Sequence, residues 1–282
     1  MPSRYEDIIT AAADHVSKSH TSAGIEKKPF DFLNGVPLTE LNYDELRAAC
    51  VASSLSLIYK GMNMIVTRSH IQLWDRIGEL LLNPPSVYLG HSPAAPTFME
   101  NMLLPSLFMS TVKTAIGTWG LCRINALSWD DESQLTTYKV NPAEYLVYPL
   151  LEGVVKRAKS AFFNTDGIVS SGFTISYDGI SRTYRTGKRC SNIGHMLALL
   201  YDTSDSQLQD ELRRIFEHIA FVTGENHYVV IVGWRNPALH GHFSIPTTYG
   251  VLLNIVFLIA LDYAKSRVVK KMNGKDWHDE VS

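Results

Sequence analysis

The sequence has few cysteines, little net charge and no long apolar run, and each shortage excludes a class of protein. Its 282 residues include three widely separated cysteines, Cys50, Cys122 and Cys190, with no CxxC pair. This spacing argues against a disulfide framework or a structural zinc site and fits a reducing cytoplasm. The formal net charge is only −2, so any nucleic acid would have to be bound by a local basic patch.

Signals for export and for membrane insertion are also lacking. The first residues carry Asp and Glu early and contain no signal-peptide core, from which we expect a cytoplasmic protein. The most apolar stretch, Val251–Leu261, is broken only by Asn254, and its 11 residues are too few to span a bilayer. We predict a buried helix there, a satisfied buried polar group at Asn254, and no membrane partner.

Helical signals dominate the first half of the chain. Asn42 and Glu45 form a capping box that predicts a helix over about 43–66. Further helices are predicted over 69–82 and over about 97–120, with Pro105 as a candidate kink.

A polar and acidic tract at 128–140 is the best candidate boundary between two domains. It divides the chain into a helical N-terminal region of unknown role, 1–127, and a second domain, 128–282. Asn141 followed by Pro142 then predicts the start of a new helix.

The second half contains the one clear β signal. Asp178-Gly179 lies between two apolar–polar alternating stretches, 173–177 and 180–184, and predicts a type I′ hairpin. Helices are predicted over 192–201, from Asp205 to about Gly224, and from about 246 to 271. The short run 228–234 fits either a helix or a strand. The fold class is therefore all-α with a small β-hairpin insertion.

Three arginines are followed a few residues later by a histidine: Arg189 by His195, Arg213 by His218 and Arg235 by His240. Histidine can transfer a proton near neutral pH, and arginine can hold a phosphate with two donors at once. Such a pair is a minimal device for cutting RNA without a metal ion, although the spacing also arises by chance. The Arg213 pair falls inside a predicted helix, and the Arg189 pair in a predicted surface context.

The setting of Arg235 distinguishes its pair from the other two. Asn236 is predicted to cap a helix that begins at Pro237, with Arg235 just outside the start and His240 in the first turn or so. Free amides and the positive dipole end at such a start favour a phosphate. Gly241 leaves room for a ligand, and the apolar helix behind it would anchor the loop.

The motif Arg-Asn-x-x-x-His-Gly at 235–241, preceded by an amphipathic helix and followed by a long apolar helix, resembles the HEPN superfamily. The resemblance covers roughly residues 141–271. It implies a small all-α helical bundle, often dimeric. Members occur in toxin–antitoxin, abortive-infection and CRISPR-associated systems, and many are metal-independent RNA endonucleases. Residues 1–127 resemble no family that we can name.

The resemblance implies a role for each motif residue. His240 would act as general acid or base on the ribose 2′-hydroxyl or the leaving oxygen, and Arg235 would stabilise the extra charge on the phosphorane. Asn236 would orient one of them or cap the helix. The products would carry a 2′,3′-cyclic phosphate and a 5′-hydroxyl, and two loops would form one cleft in a homodimer. One departure concerns His242, because toxins paired with nucleotidyltransferase antitoxins often have a tyrosine there.

Several further residues are secondary candidates. His242 is a candidate second proton carrier, and Glu152 a candidate to point at the cleft; for both, a solvated side chain is the alternative. Basic residues that would bind RNA, unless they form solvated faces, are Lys156, Arg157, Arg185 and Arg189. His240-x-His242 has no carboxylate or cysteine nearby at ligand spacing, so no metal and no cofactor is expected.

The leading hypothesis is a metal-independent RNA endonuclease of HEPN type, acting as a toxin or antiviral-defence effector. Its expected partners are RNA, a second copy of the chain, and an antitoxin or regulatory protein. The alternative is a non-catalytic HEPN-like module that binds RNA, nucleotide or a regulatory protein. A third interpretation is a structural helical scaffold in which the motif is accidental.

Overall fold

A computed structural model describes residues 9, 41–58, 68–82, 103–124, 129–239 and 248–272. Within these ranges it contains nine helices and one hairpin. They are α1 (Tyr43–Leu57), α2 (Arg68–Leu82), α3 (Leu103–Ile124), α4 (Trp129–Ala158), β1 (Phe173–Tyr177), β2 (Ile180–Tyr184), α5 (Ile193–Asp202), α6 (Ser206–Thr223), α7 (His227–Leu239), α8 (Thr248–Tyr263) and α9 (Lys265–Met272). The prediction of a mostly helical fold with one small hairpin is confirmed.

Helix α8 forms the centre of the fold because it is apolar on every side. Every residue from Thr248 to Leu261 is buried, and α1, α2, α4 and α6 pack around the helix. Asn254 is satisfied, as predicted: its side chain accepts a hydrogen bond from Nε1 of Trp74 at 3.1 Å and donates one to the Gly250 carbonyl at 2.9 Å. Among the residues described, no helix combines the length and the apolar character needed to cross a membrane.

Helix α1 begins as the sequence predicts but ends earlier. Both hydrogen bonds of the capping box form, between the Asn42 side chain and the Glu45 amide and between the Glu45 side chain and the Asn42 amide, each at 3.0 Å. The predicted continuation to residue 66 is wrong, because Ile58 is already extended. Nearby, the Ser56 hydroxyl donates to the Ser53 carbonyl at 2.9 Å, a local bond that competes with the helical backbone.

Helix α4 runs without interruption from Trp129 to Ala158, so the predicted helix start at Asn141 is wrong. A capping side chain contributes only about 1 kcal/mol, and the packing of α4 against α3 and α8 outweighs that local signal. Helices on both sides of residue 128 contribute to one cluster of buried side chains. The division into two domains stays a prediction.

The hairpin and helix α6 match their sequence signals. Asp178 and Gly179 have φ angles of 50° and 73°, as a type I′ turn requires, and they join β1 to β2 with Tyr177 opposite Ile180. The buried face of β1 packs against α5. Helix α6 is capped by Asp205 and ended by Gly224 in the left-handed conformation.

Candidate functional site

Arg235 lies on α7, the element that the sequence left open between helix and strand. The helix begins behind Asn226, whose side chain accepts a hydrogen bond from the Tyr228 amide at 2.9 Å. Ile231 and Ala238 are buried, where α7 packs against α4, α5 and α6. Arg235 keeps 29% of its side chain exposed, so α7 holds a partly solvated arginine on a well-anchored backbone.

The predicted helix start at Asn236-Pro237 is wrong, because α7 continues through Pro237 to Leu239. The apolar run before Arg235 is already helical and packed, and only the last turn of the helix remains at Pro237. Arg235 and Asn236 therefore lie near the carboxyl end of a helix, where the partial charge is negative. That end favours the cation of Arg235 but offers no free amides to a phosphate.

Arg235 forms a small charged cluster with two residues of α4. Its Nη2 atom lies 3.8 Å from Oε2 of Glu152, and Nζ of Lys156 lies 2.7 Å from Oε1 of the same carboxylate. We call these three residues the Arg235 cluster. All of them are partly exposed, and two cations share one carboxylate. The cluster keeps a net positive charge that an approaching phosphate can neutralise.

The other predicted site residues are only partly placed. Glu152, a secondary candidate, is brought to Arg235. Asn236 is exposed inside α7, so it does not cap a helix. His240 and His242 follow Leu239 in the chain and lie outside the described residues.

The four RNA-binding candidates separate into two pairs. On α4, Lys156 is engaged with Glu152, and the guanidinium carbon of Arg157 lies 5.9 Å from the centroid of the Tyr263 ring. Arg185 and Arg189 instead lie exposed on the segment that follows β2. The first pair is held by contacts within the fold, whereas the second pair faces solvent.

The two other arginine–histidine pairs have different surroundings. Arg213 is exposed on α6, 2.8 Å from Asp210. His195 was predicted in a surface context, and this is wrong: it is buried between α5 and the hairpin, and its Nδ1 lies 2.5 Å from the Tyr184 hydroxyl. Burial lowers the pKa of His195, and the charge of Arg182 lowers it further.

A second arginine cluster, which was not predicted from the sequence, joins α1 to α6 and α8. Arg47 is fully buried, and its Nη2 and Nε atoms donate to Oε2 of Glu211 at 2.5 and 3.2 Å. Its Nη1 atom donates to Asp262 at 3.1 Å and to the Tyr43 hydroxyl at 3.2 Å. We call Arg47, Glu211 and Asp262 the Arg47 cluster. The signal available in the sequence was Arg47 itself, followed by Ala48, Ala49 and Cys50 in the helix predicted over about 43–66.

Burial dominates the electrostatics of the Arg47 cluster. It raises the pKa of Glu211, and the positive charge of Arg47 opposes that rise. The pKa of Asp262 is raised for the same reason and opposed by the same guanidinium. Arg47 is thus the positive charge that opposes protonation of both carboxylates.

Within the described ranges, no group of three or more His, Cys, Asp or Glu side chains is arranged to hold a metal ion. Comparisons with protein-family models, with curated proteins and with solved structures found no match to this chain. The resemblance to the HEPN superfamily therefore rests on the motif at 235–241 and on the order of helices around it.

Proposed function

We propose that this protein is a metal-independent RNA endonuclease of HEPN type that uses Arg235, Asn236 and His240. The observation that carries the proposal is the partial exposure of Arg235 and its long ion-pair distance. Its guanidinium is partly exposed and lies at 3.8 Å from its carboxylate partner, so a phosphate oxygen can compete for it. An arginine presented in this way can bind a phosphate through two parallel hydrogen bonds.

The proposed reaction transfers the phosphate within the RNA itself. His240, which directly follows the last residue of α7 in the sequence, removes the proton from a ribose 2′-hydroxyl. The 2′-oxygen then bonds to phosphorus, and the bond from phosphorus to the 5′-oxygen breaks. A second histidine, either His242 or His240 of a second copy in a homodimer, returns a proton to the leaving 5′-oxygen. Arg235 stabilises the charge that develops on the phosphorane.

Glu152 and Lys156 have supporting roles in this proposal. Glu152 holds the guanidinium of Arg235 toward α4 in the absence of RNA, and Lys156 shares the same carboxylate. When a phosphate binds Arg235, Lys156 still pairs with Glu152. The release of Arg235 therefore does not leave the carboxylate unpaired. On this proposal the protein is a cytoplasmic toxin or antiviral-defence effector controlled by an antitoxin or regulatory protein. In similar toxins the antitoxin often modifies a tyrosine at the position of His242. We therefore expect the antitoxin or regulatory protein to act here without modifying this position.

The test of the proposal is cleavage of single-stranded RNA in the presence of EDTA. We expect wild type to cut the RNA and to leave 2′,3′-cyclic phosphate ends. Cleavage by His240→Ala should be about 100-fold to 10,000-fold slower, because a proton-transfer group is lost. His218→Ala is the matched control, since it removes a histidine with the same spacing from an arginine and should cut at the wild-type rate. The proposal fails if EDTA abolishes cleavage or if His240→Ala cuts as fast as wild type.

A second candidate function is a non-catalytic module that binds RNA, nucleotide or a protein. It is favoured by the ion pair itself, because a carboxylate already occupies the guanidinium that catalysis would use. Expression of wild type and His240→Ala in bacteria separates the two functions. Slower growth with RNA decay in wild type alone supports the nuclease, and equal growth without decay supports the module.

A further inference from the structure

One stretch of the chain carries positive charge without any balancing acid. Between Gly179 and Tyr201 there are four cations and no Asp or Glu, although the whole chain has a net charge of −2. The four cations, Arg182, Arg185, Lys188 and Arg189, are all exposed. No ion pair joins any of them to the described part of the chain. We call these four residues the basic turn.

The backbone of the basic turn is braced rather than loose. The Lys188 amide donates to the Arg185 carbonyl at 3.1 Å, which closes a tight turn with Gly187 at a φ of 80°. Val169 fastens this turn on its other side, because its amide donates to the Lys188 carbonyl and its carbonyl accepts from the Gly187 amide, both at 2.8 Å. Arg189 forms a β-bridge with Ile168. Cations on a fixed backbone lose less entropy when they bind a ligand.

A continuous path of contacts leads from the Arg235 cluster to the basic turn. Lys156, which shares Glu152 with Arg235, extends its Nζ atom to 3.5 Å from the Thr165 carbonyl. A Cβ added at Gly167 would lie 3.1 Å from that Nζ atom. The Gly167 carbonyl accepts a hydrogen bond from the Cys190 amide at 2.9 Å, and Arg189 is the next residue back. The loop 164–167 thus contacts Lys156 of the Arg235 cluster at Thr165 and the backbone next to Arg189 at Gly167.

From this arrangement we infer that the basic turn binds the backbone phosphates of a single RNA strand that extends from the Arg235 cluster across the loop 164–167. The inference rests on the proposed function and names where its substrate lies. It also revises which basic residues matter. Lys156 and Arg157 are engaged within the fold, whereas Arg185, Lys188 and Arg189 are available to a polyanion. The loop 164–167 links these three to the cluster that holds Arg235, the arginine we propose to act on phosphate, which favours RNA over an acidic protein.

The test measures binding separately from cleavage. In protein made inactive by His240→Ala, the affinity for labelled oligouridine is measured by fluorescence anisotropy across a series of salt concentrations. We compare Lys188→Gln/Arg189→Gln with Arg213→Gln/Arg214→Gln, a matched pair of adjacent exposed cations on α6. Each single-strand phosphate contact contributes about 0.7 to the slope of log affinity against log salt. The first pair should therefore lower that slope by about 1.4, and the control pair should leave it unchanged.

The outcomes separate this inference from the proposed nuclease. If the two double variants bind oligouridine equally well, or if polyglutamate competes as strongly as RNA, the basic turn is not an RNA surface, whether or not the protein cuts. If Lys188→Gln/Arg189→Gln weakens binding and the active protein cuts no RNA, the basic turn is an RNA-binding surface and the proposed nuclease activity is wrong. In active protein, the same double change should slow cleavage of long RNA at limiting concentration.

Discussion

The protein has two arginine–carboxylate clusters, and they differ in burial, distance and position in the fold. In the Arg47 cluster the side chains of Arg47 and Glu211 are 0% and 1% exposed and lie 2.5 Å apart. In the Arg235 cluster the side chains of Arg235 and Glu152 are 29% and 22% exposed and lie 3.8 Å apart. The first joins three helices inside the core, whereas the second lies at the surface between α7 and α4.

The difference shows what each arginine can do. The buried guanidinium of Arg47 uses four of its five N–H donors on Glu211, Asp262 and Tyr43 and is closed to solvent, so a ligand cannot reach it. Its removal would leave the Glu211 carboxylate in the core without a cation. A partly exposed guanidinium at a long ion-pair distance contributes little to stability and can exchange its partner. We therefore assign a structural role to Arg47 and propose a chemical one for Arg235.

The largest expected effect is on stability at the buried cluster. Arg47→Ala should lower the free energy of unfolding by about 3–5 kcal/mol, because it leaves the buried Glu211 carboxylate without its cation. Urea unfolding followed by circular dichroism measures this loss. Arg213→Ala, at an exposed ion pair, serves as the control and should lose far less. Equal losses in the two variants would show that the Arg47 cluster does not stabilise the fold.

The same loss should depend on pH. Because burial raises the pKa of Glu211 above its ordinary 4.5, the folded state holds this proton more tightly than the unfolded chain does. Its contribution to stability therefore falls as pH rises from 4.5 through the raised value. Asp262 behaves in the same way.

Arg47 opposes both pKa shifts, so its removal should enlarge them. The destabilisation by Arg47→Ala should be smaller at about pH 5 than at about pH 7, by about 1 kcal/mol. Unfolding curves of both proteins at the two pH values measure this difference. A destabilisation that does not change with pH would show that Arg47 does not act through the protonation of Glu211 and Asp262.

The smallest expected stability effect is at the surface cluster. Arg235→Ala should change the free energy of unfolding by only about 0–1 kcal/mol, because Lys156 still pairs with Glu152 and the site is open to solvent. The measurement is again urea unfolding, side by side with Arg47→Ala. A loss as large as that of Arg47→Ala would make Arg235 a structural tether and would favour the non-catalytic module.

Local sequence signals predicted much of the fold, and they failed where packing decides. The capping box at Asn42 and the turn at Asp178-Gly179 form as expected because the residues that specify them also complete them. The apparent helix starts at Asn141 and Asn236 do not form, since each lies in a longer helix held by tertiary contacts. Local preferences of this size are readily outweighed by burial.

The candidate site was predicted in part. The motif directed attention to Arg235, and Glu152 was a candidate to point at the cleft, but the sequence misassigned the helix end on which Arg235 lies. The Arg47 cluster could not be predicted, because Glu211 lies 164 residues from Arg47 along the chain. The exposed cations Arg185, Lys188 and Arg189 could be distinguished from Lys156 and Arg157 only from the contacts that Lys156 and Arg157 make in the structure.

The most direct test of the central claim is the single-turnover rate of RNA cleavage by Arg235→Ala, with and without added guanidinium at concentrations too low to unfold the protein. If Arg235 stabilises the phosphorane, its loss should slow cleavage by roughly 100-fold, and free guanidinium should restore part of the rate. The unfolding free energy should stay near that of wild type. Cleavage by Arg235→Ala at the wild-type rate would contradict the proposal that this arginine acts on the reacting phosphate.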